Sequence, residues 1–184
     1  MAKHYIHVTN PAGQGPAGLQ GPTGATGPQG PAWTPASASY WSTVIQGPYT
    51  ANSIHAMTLN ATDWQSGVVL QNGSQVKMTS AGKYNIMFSA QFEQPQGNST
   101  VNIWLAKNGT AVPATNTRLD IAASSPYTVA AWNFFVNASA NDYYELMWSS
   151  TNANTIIDYE VATGSGATLH PEIPSVILTV NQVG

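Results

Sequence analysis

Glycine recurs at every third position near the N-terminus, at Gly15, Gly18, Gly21, Gly24, Gly27 and Gly30, within the run GPA GLQ GPT GAT GPQ GPA. When three polyproline II chains wind together, every third residue falls on a crowded axis where only a hydrogen side chain fits. Proline at the remaining places pre-sets the backbone. The period therefore predicts a rod over residues 15–32, made of three parallel chains in register and ~55 Å long at about 3.1 Å per residue. A flexible Gly/Pro linker is the alternative, and such a linker has no reason to hold a period. Pro16, Pro22, Pro28 and Pro31 each follow a glycine directly. None occupies the place before glycine where hydroxyproline is most useful, which suits a maker without prolyl hydroxylase.

Six such triplets are too few to hold three chains together unaided. Residues 4–62 contain no Lys, Arg, Asp or Glu, so interchain ion pairs cannot set the register. A trimerising element is therefore expected in the C-terminal region. Residues 1–14 precede the period, because Gly13 is out of step with Gly15, and hold Tyr5, Ile6 and Val8. These are too few apolar groups for a core, but enough to dock in a groove or add a strand to an exposed sheet edge. They are the candidate attachment residues.

Charge is scarce throughout. Five basic and eight acidic side chains make 7% of the chain, against roughly 25% in a typical soluble domain. Solubility is expected to come instead from 16 Ser, 19 Thr, 15 Asn and 11 Gln. A net charge of -3 offers no footprint for a nucleic acid backbone or an anionic membrane, so neither is an expected partner. The absence of Cys removes disulfides, thiol catalysis and Cys-ligated metals. No run approaches the ~18 apolar residues of a membrane span, and the opening MAKHYIHVTNP is too short in apolar residues to act as an export signal. Synthesis in a host cytoplasm is the expectation.

After a neck at 33–39, residues 40–184 read as β-structure. In Lys83–Phe92, Tyr84, Ile86, Phe88, Ala90 and Phe92 share one face, and Lys83, Asn85, Met87, Ser89 and Gln91 the other. Similar runs are SIHAMTL, GVVLQ, SQVKMT, TVNIWLA, YTVAAWNFFV, DYYELMW, TIIDYEVA and SVILTVNQV. Asn72-Gly73 and Asn108-Gly109 predict hairpins of the kind that needs positive φ at both central residues. The fold class is all-β, an antiparallel jelly-roll sandwich. Val129–Val136 and Tyr143–Trp148 are apolar on both faces, which a lone sandwich would leave wet. Packing between copies around a three-fold axis would cover them, with Trp132, Phe134, Tyr144 and Trp148 as the candidate trimer-packing residues.

The combination of this head with a collagen-like triple helix resembles the collagen-stalked proteins whose trimeric heads belong to the tumour necrosis factor and complement globular-head superfamily. AGKYNIMFSAQF at 81–92 is similar to the Gly-x-Tyr-x-x-x-Phe strand of that superfamily. WLAKNGTAVP at 104–113 is similar to its hairpin ending in Asn-Gly, and ANDYYELMW at 140–148 to its Gly-Asp-x-x-x-Leu turn and strand. Asn141 replaces the usual Gly. The closing PSVILTVNQV replaces an aromatic-rich strand, and looks more like the ends of structural proteins of bacteriophages and other large viruses. The resemblance implies a homotrimeric jelly-roll head on a stalk, of viral origin.

No catalytic set emerges. Asp158 and Glu160, two apart on TIIDYEVA, would share a strand face and could bind a hard cation, but on a solvated face they are simply wet. His170 and Glu172, flanked by Pro171 and Pro174, are placed in a surface loop. His4 and His7, three apart, point to opposite sides of an extended chain. No nucleophile elbow, P-loop, zinc-protease or dinucleotide motif occurs. The expectation is no enzyme, no cofactor and no metal. The six Trp and eight Tyr could stack on sugars, although sandwiches and interfaces also use aromatics.

The favoured reading is a trimeric structural protein of the bacteriophage virion surface. It would be a capsid decoration protein or head fibre rooted by residues 1–14, head outward, with host surface glycans as an optional contact. The alternatives are a receptor-binding tail fibre, a collagen-like adhesin of a bacterial surface or spore coat, and a soluble carbohydrate-binding module.

Overall fold

A computed structural model describes residues 1–3, 18–27, 30, 34–123, 126–166 and 169–184. The chain divides into Met1–Trp33 and Thr34–Gly184. In the first unit the described residues are exposed and carry no helix or strand. Gly15 and the candidate attachment residues Tyr5, Ile6 and Val8 lie outside the described residues, as do His4 and His7.

The second unit is built from strands β1 Ser37–Ser42, β2 His55–Ala56, β3 Ala61–Ser66, β4 Val68–Gln71, β5 Gln75–Met78, β6 Gly82–Glu93 and β7 Ser99–Lys107, followed by β8 Thr110–Ala111, β9 Thr117–Ile121, β10 Tyr127–Ala138, β11 Tyr143–Ser150, β12 Ile156–Ile157 and β13 Val176–Gln182. All pairings among them are antiparallel. The first sheet runs β3-β1-β13-β6-β10, with β12 also on β6. The second runs β4-β5-β11-β7, with β8 and β9 on β7 and β2 on β11. The first and last long strands of this unit thus lie side by side, and the chain crosses repeatedly from one sheet to the other. This is the two-sheet jelly roll expected from the sequence.

The inward face of β6 is the expected one, with Tyr84, Ile86, Phe88, Ala90 and Phe92 all buried. Val101, Ile103 and Leu105 of β7 and Tyr144, Leu146 and Trp148 of β11 belong to the same core. The Trp148 ring meets Phe92 edge-on, centroids 5.5 Å apart, an arrangement that ring quadrupoles favour. Buried tyrosines keep their hydroxyls paired. Tyr40 donates to the Val68 carbonyl at 3.1 Å, and Tyr84 to the Ser80 carbonyl at 2.9 Å. Burial pushes the Tyr40 hydroxyl up to about 12.

Both Asn-Gly turns form as their residue types require. Asn72 and Gly73 have φ of 51° and 73° between β4 and β5, and Asn108 and Gly109 have 50° and 79° between β7 and β8. Some expectations are corrected. The neck at 33–39 ends inside β1, whose Ser37–Ser42 pairs with both β13 and β3. SIHAMTL shrinks to the two residues of β2, although Met57 N–H still donates to Leu146 O at 2.8 Å. TIIDYEVA shrinks to β12, so Asp158 and Glu160 lie beyond the strand.

Candidate self-association face

The outward side of the first sheet is where the fold leaves apolar surface uncovered. Strand alternation aims Trp41 of β1, Ile177 of β13, Met87 of β6, and Val129 and Phe135 of β10 away from the core. The ladder aligns them in rows. Trp41 faces Ile177, which faces Ser89, which faces Ala131; in the next row Trp64, Ser39, Thr179, Met87 and Asn133 stand side by side. Phe135 is 71% exposed, Tyr127 63%, Val129 55%, Trp64 53%, and Ile177 and Met87 38% each.

The groups between these side chains are small and uncharged. Asn133 Nδ2 donates to Asn85 Oδ1 at 2.8 Å across the β10–β6 pair. Charge is absent from the Met87, Ser89 and Thr179 region but borders the face on the Trp41 side and at the start of β10. Lys83 and Glu93 stand at opposite ends of β6. At another margin Asp63 accepts the Ser39 hydroxyl at 2.8 Å, and Glu172 accepts the Tyr159 hydroxyl at 2.7 Å. The outer side of the second sheet differs, since its central strands carry Lys77 and Glu145, and Arg118 and Asp120 lie on β9. Depletion of charge from the centre of a patch, with aromatic and aliphatic side chains there, is the compositional mark of an interface core.

The face is also notched. A hollow of about 200 Å³ lies among Met87, Ser89, Ile177 and Thr179. One of about 270 Å³ lies between Trp41, Asp63, Glu172, Pro174 and Ile177, so two carboxylates border the apolar pair. A third, of about 300 Å³, opens at the end of β10 beside Tyr127 and Val129, and Asp158 and Glu160 line it. Burial, with a smaller contribution from Glu160, holds the Asp158 carboxyl above its usual range, and Glu93 raises the Tyr127 hydroxyl. The two carboxylates do share a site, but among the described residues no group of three His, Asp or Glu side chains could hold a metal ion. His170 is exposed as expected, bridged to Thr163 and close to its hydroxyl.

The four residues assigned to trimer packing are placed differently. Tyr144 and Trp148 are 2% and 1% exposed, so they are spent on the core of their own chain. Trp132 and Phe134 also point inward, half-buried, with Trp132 edge-on to Phe88 at 4.8 Å and Phe134 parallel to it at 6.2 Å. On β10 the uncovered row is the opposite one, Tyr127, Val129 and Phe135. A parity choice separates the two assignments, because neighbouring strand residues face opposite ways. On β11 the outer face is broken by Glu145 and Ser149, so it is not a second apolar surface.

Neither a protein-family model nor a curated protein matches the sequence. Solved structures do. The chain is similar to murine APRIL in crystal structures at pH 8.5, 8.0 and 5.0, with TM-scores of 0.53, 0.52 and 0.52 and identities of 10%, 12% and 8%. Each comparison covers 82% of this chain and 100% of the other. The likeness defines the fold, a jelly roll of the tumour necrosis factor type. The three segments that carried the resemblance lie at β6, at the β7–β8 hairpin and at the turn into β11.

Proposed function

We propose that the chain is a homotrimeric structural protein of a bacteriophage virion surface, with a collagen-like stalk over 15–32 and the jelly-roll head as its trimerising element. The observation that carries the trimer is a strict period of glycine that a single chain does not explain. At Gly18, Gly21, Gly24, Gly27 and Gly30 an added Cβ would meet nothing within 4 Å, and none of them has the positive φ that favours glycine. Nothing within one chain demands glycine there. A demand repeated every third residue is the signature of neighbours wound around a common axis. The apolar side chains on the outer face of the first sheet support the same assembly, since they offer copies of the head a surface to bury.

The virion assignment rests on the composition and on the phage-like C-terminal segment. On this reading the chain is a decoration protein or head fibre rooted by residues 1–14. Three root segments per trimer would reinforce one another through effective concentration. The experiment is to complement particles that lack the protein with a chain deleted for residues 2–12. The proposal expects a soluble trimer that no longer joins particles. Normal incorporation of the deleted chain would place attachment in the head and reverse the orientation.

A further inference from the structure

The second sheet carries a groove that takes no part in the face described above. It measures about 480 Å³, within the roughly 300–1,000 Å³ of small-ligand sites. Half-buried Trp104 of β7 lies in it, and Val112, Pro113 and Ala114 of the loop between β8 and β9 wall it. Asn102, Asn116 and Ser149 supply its polar atoms. Ser149 stands directly across from Asn102 in the β11–β7 register, two residues along β7 from Trp104, so all three project from the same side.

The wall is held in place from below. Thr115 Oγ1 donates to Val112 O at 2.8 Å and accepts the Leu105 N–H at 3.1 Å, while Val112 N–H donates to Leu105 O at 2.8 Å. Ala114 adopts φ of 61°, a conformation disfavoured for a residue with a Cβ and stored here at the rim. The main chain beside Trp104 is spent on these bonds. An extended peptide would find no free ladder there.

The polar atoms, by contrast, are available. Asn116 Nδ2 donates to Asn102 Oδ1 at 3.2 Å, which leaves the Asn102 amide group and the Asn116 carbonyl oxygen without a protein partner among the described residues. The Ser149 hydroxyl and the Trp104 indole N–H are equally free. No charged side chain lines the groove. Arg118, across from Asn102 in the β7–β9 register, has its Nε 3.7 Å from Asp120 Oδ2.

We propose that this groove binds a neutral saccharide unit. A pyranose ring has one face of C–H bonds, which suits the electron-rich face of the indole. Its hydroxyls both donate and accept, matching two amides and a hydroxyl that do the same. A phosphate or carboxylate ligand would find no cation in the lining, and a purely apolar ligand would strand the rim amides. The groove lies on the second sheet, apart from the face described above, and the inference does not depend on the virion reading.

The test presents the full chain to an array of neutral glycans built of hexose, N-acetylhexosamine and deoxyhexose, with sialylated and sulfated glycans alongside. The best neutral glycan is then titrated in soluble form against the native chain, Trp104→Ala, Trp104→Phe and Asn116→Ala. Neutral glycans should be retained, with affinity falling about tenfold for Trp104→Ala and less for Trp104→Phe, while circular dichroism stays native. If Trp104→Ala does not fold, Asn116→Ala on its exposed turn decides, and a loss of about threefold or more is expected. The proposal is overturned if the array retains no neutral glycan, if only acidic glycans bind, or if neutral binding is indifferent to both residues.

Discussion

Trp41 stands directly across from Ile177 in the β1–β13 register, and both side chains point away from the sandwich core. This pair joins the two ends of the head domain's chain at the middle of the first sheet, and among the described residues of the head no layer covers its outer side. The pairing itself is explained by backbone hydrogen bonds and alternation. Under the proposed assembly, a second copy of the head would bury these two outward-facing apolar side chains.

Ile177→Asp puts a carboxylate in the middle of that face. We predict that the variant sediments as a monomer while its head keeps native circular dichroism. Ile177 is partly covered on a central strand and Asp is a poor strand former, so the isolated head should lose about 1–2 kcal/mol and still fold. Persistence of the native oligomer would move the interface elsewhere.

The parity of β10 and β11 can be tested by truncating one residue of each orientation. Trp148→Ala empties part of the core and should cost about 3–5 kcal/mol in denaturant unfolding of the head. Phe135→Ala should leave the head's own stability almost unchanged and weaken association instead. The reverse pattern would restore the inward aromatics to the interface.

Asp142 ties the β7–β8 hairpin to the β10–β11 turn. Its carboxylate lies 2.7 Å from Lys107 Nζ, accepts Asn108 Nδ2 at 2.8 Å and accepts the Ser139 N–H at 2.7 Å. The Lys107 bond first, then those from Asn108 and Ser139, hold its pKa at about 2. A carboxyl whose folded pKa lies below its unfolded value stabilises fully above the unfolded value, and the gain disappears as pH falls toward 2. Asp142→Asn should therefore lower stability by about 1 kcal/mol at pH 7, after allowance for solvent screening, and by almost nothing at pH 2. A pH-independent difference would contradict this account.

Gly24→Val adds a side chain that the single chain has room for, since nothing lies within 4 Å. Any damage must therefore come from other chains. We predict loss of the polyproline-type circular dichroism signal at low temperature, with the head's melting temperature nearly unchanged. A variant with a native rod signal would favour the flexible linker.

Much of the head was legible because its central strands must satisfy two different environments. β6, β7 and β13 alternate visibly, and the Asn-Gly turns announce their conformation through residues that tolerate positive φ. The edges were harder to read. β3, with Asp63, Trp64, Gln65 and Ser66 all exposed, has no buried face to impose a pattern, while β9, TRLDI, turns only Leu119 and Ile121 inward, too short an alternation to stand out. β1 was absorbed into the neck because ASASY holds mostly small residues. On β10 both parities are apolar, so composition cannot say which row faces inward; the partner sheet decides. Trp104 and its groove depend on the loop at Val112–Ala114 returning over β7, and no local periodicity reports that.

The central claim, that the head is the trimerising element, is tested most directly by the molar mass of residues 34–184 in solution. Light scattering on that fragment, expressed without the stalk, should report three copies of the fragment at micromolar concentration. A single copy, with the full-length chain still trimeric, would contradict it.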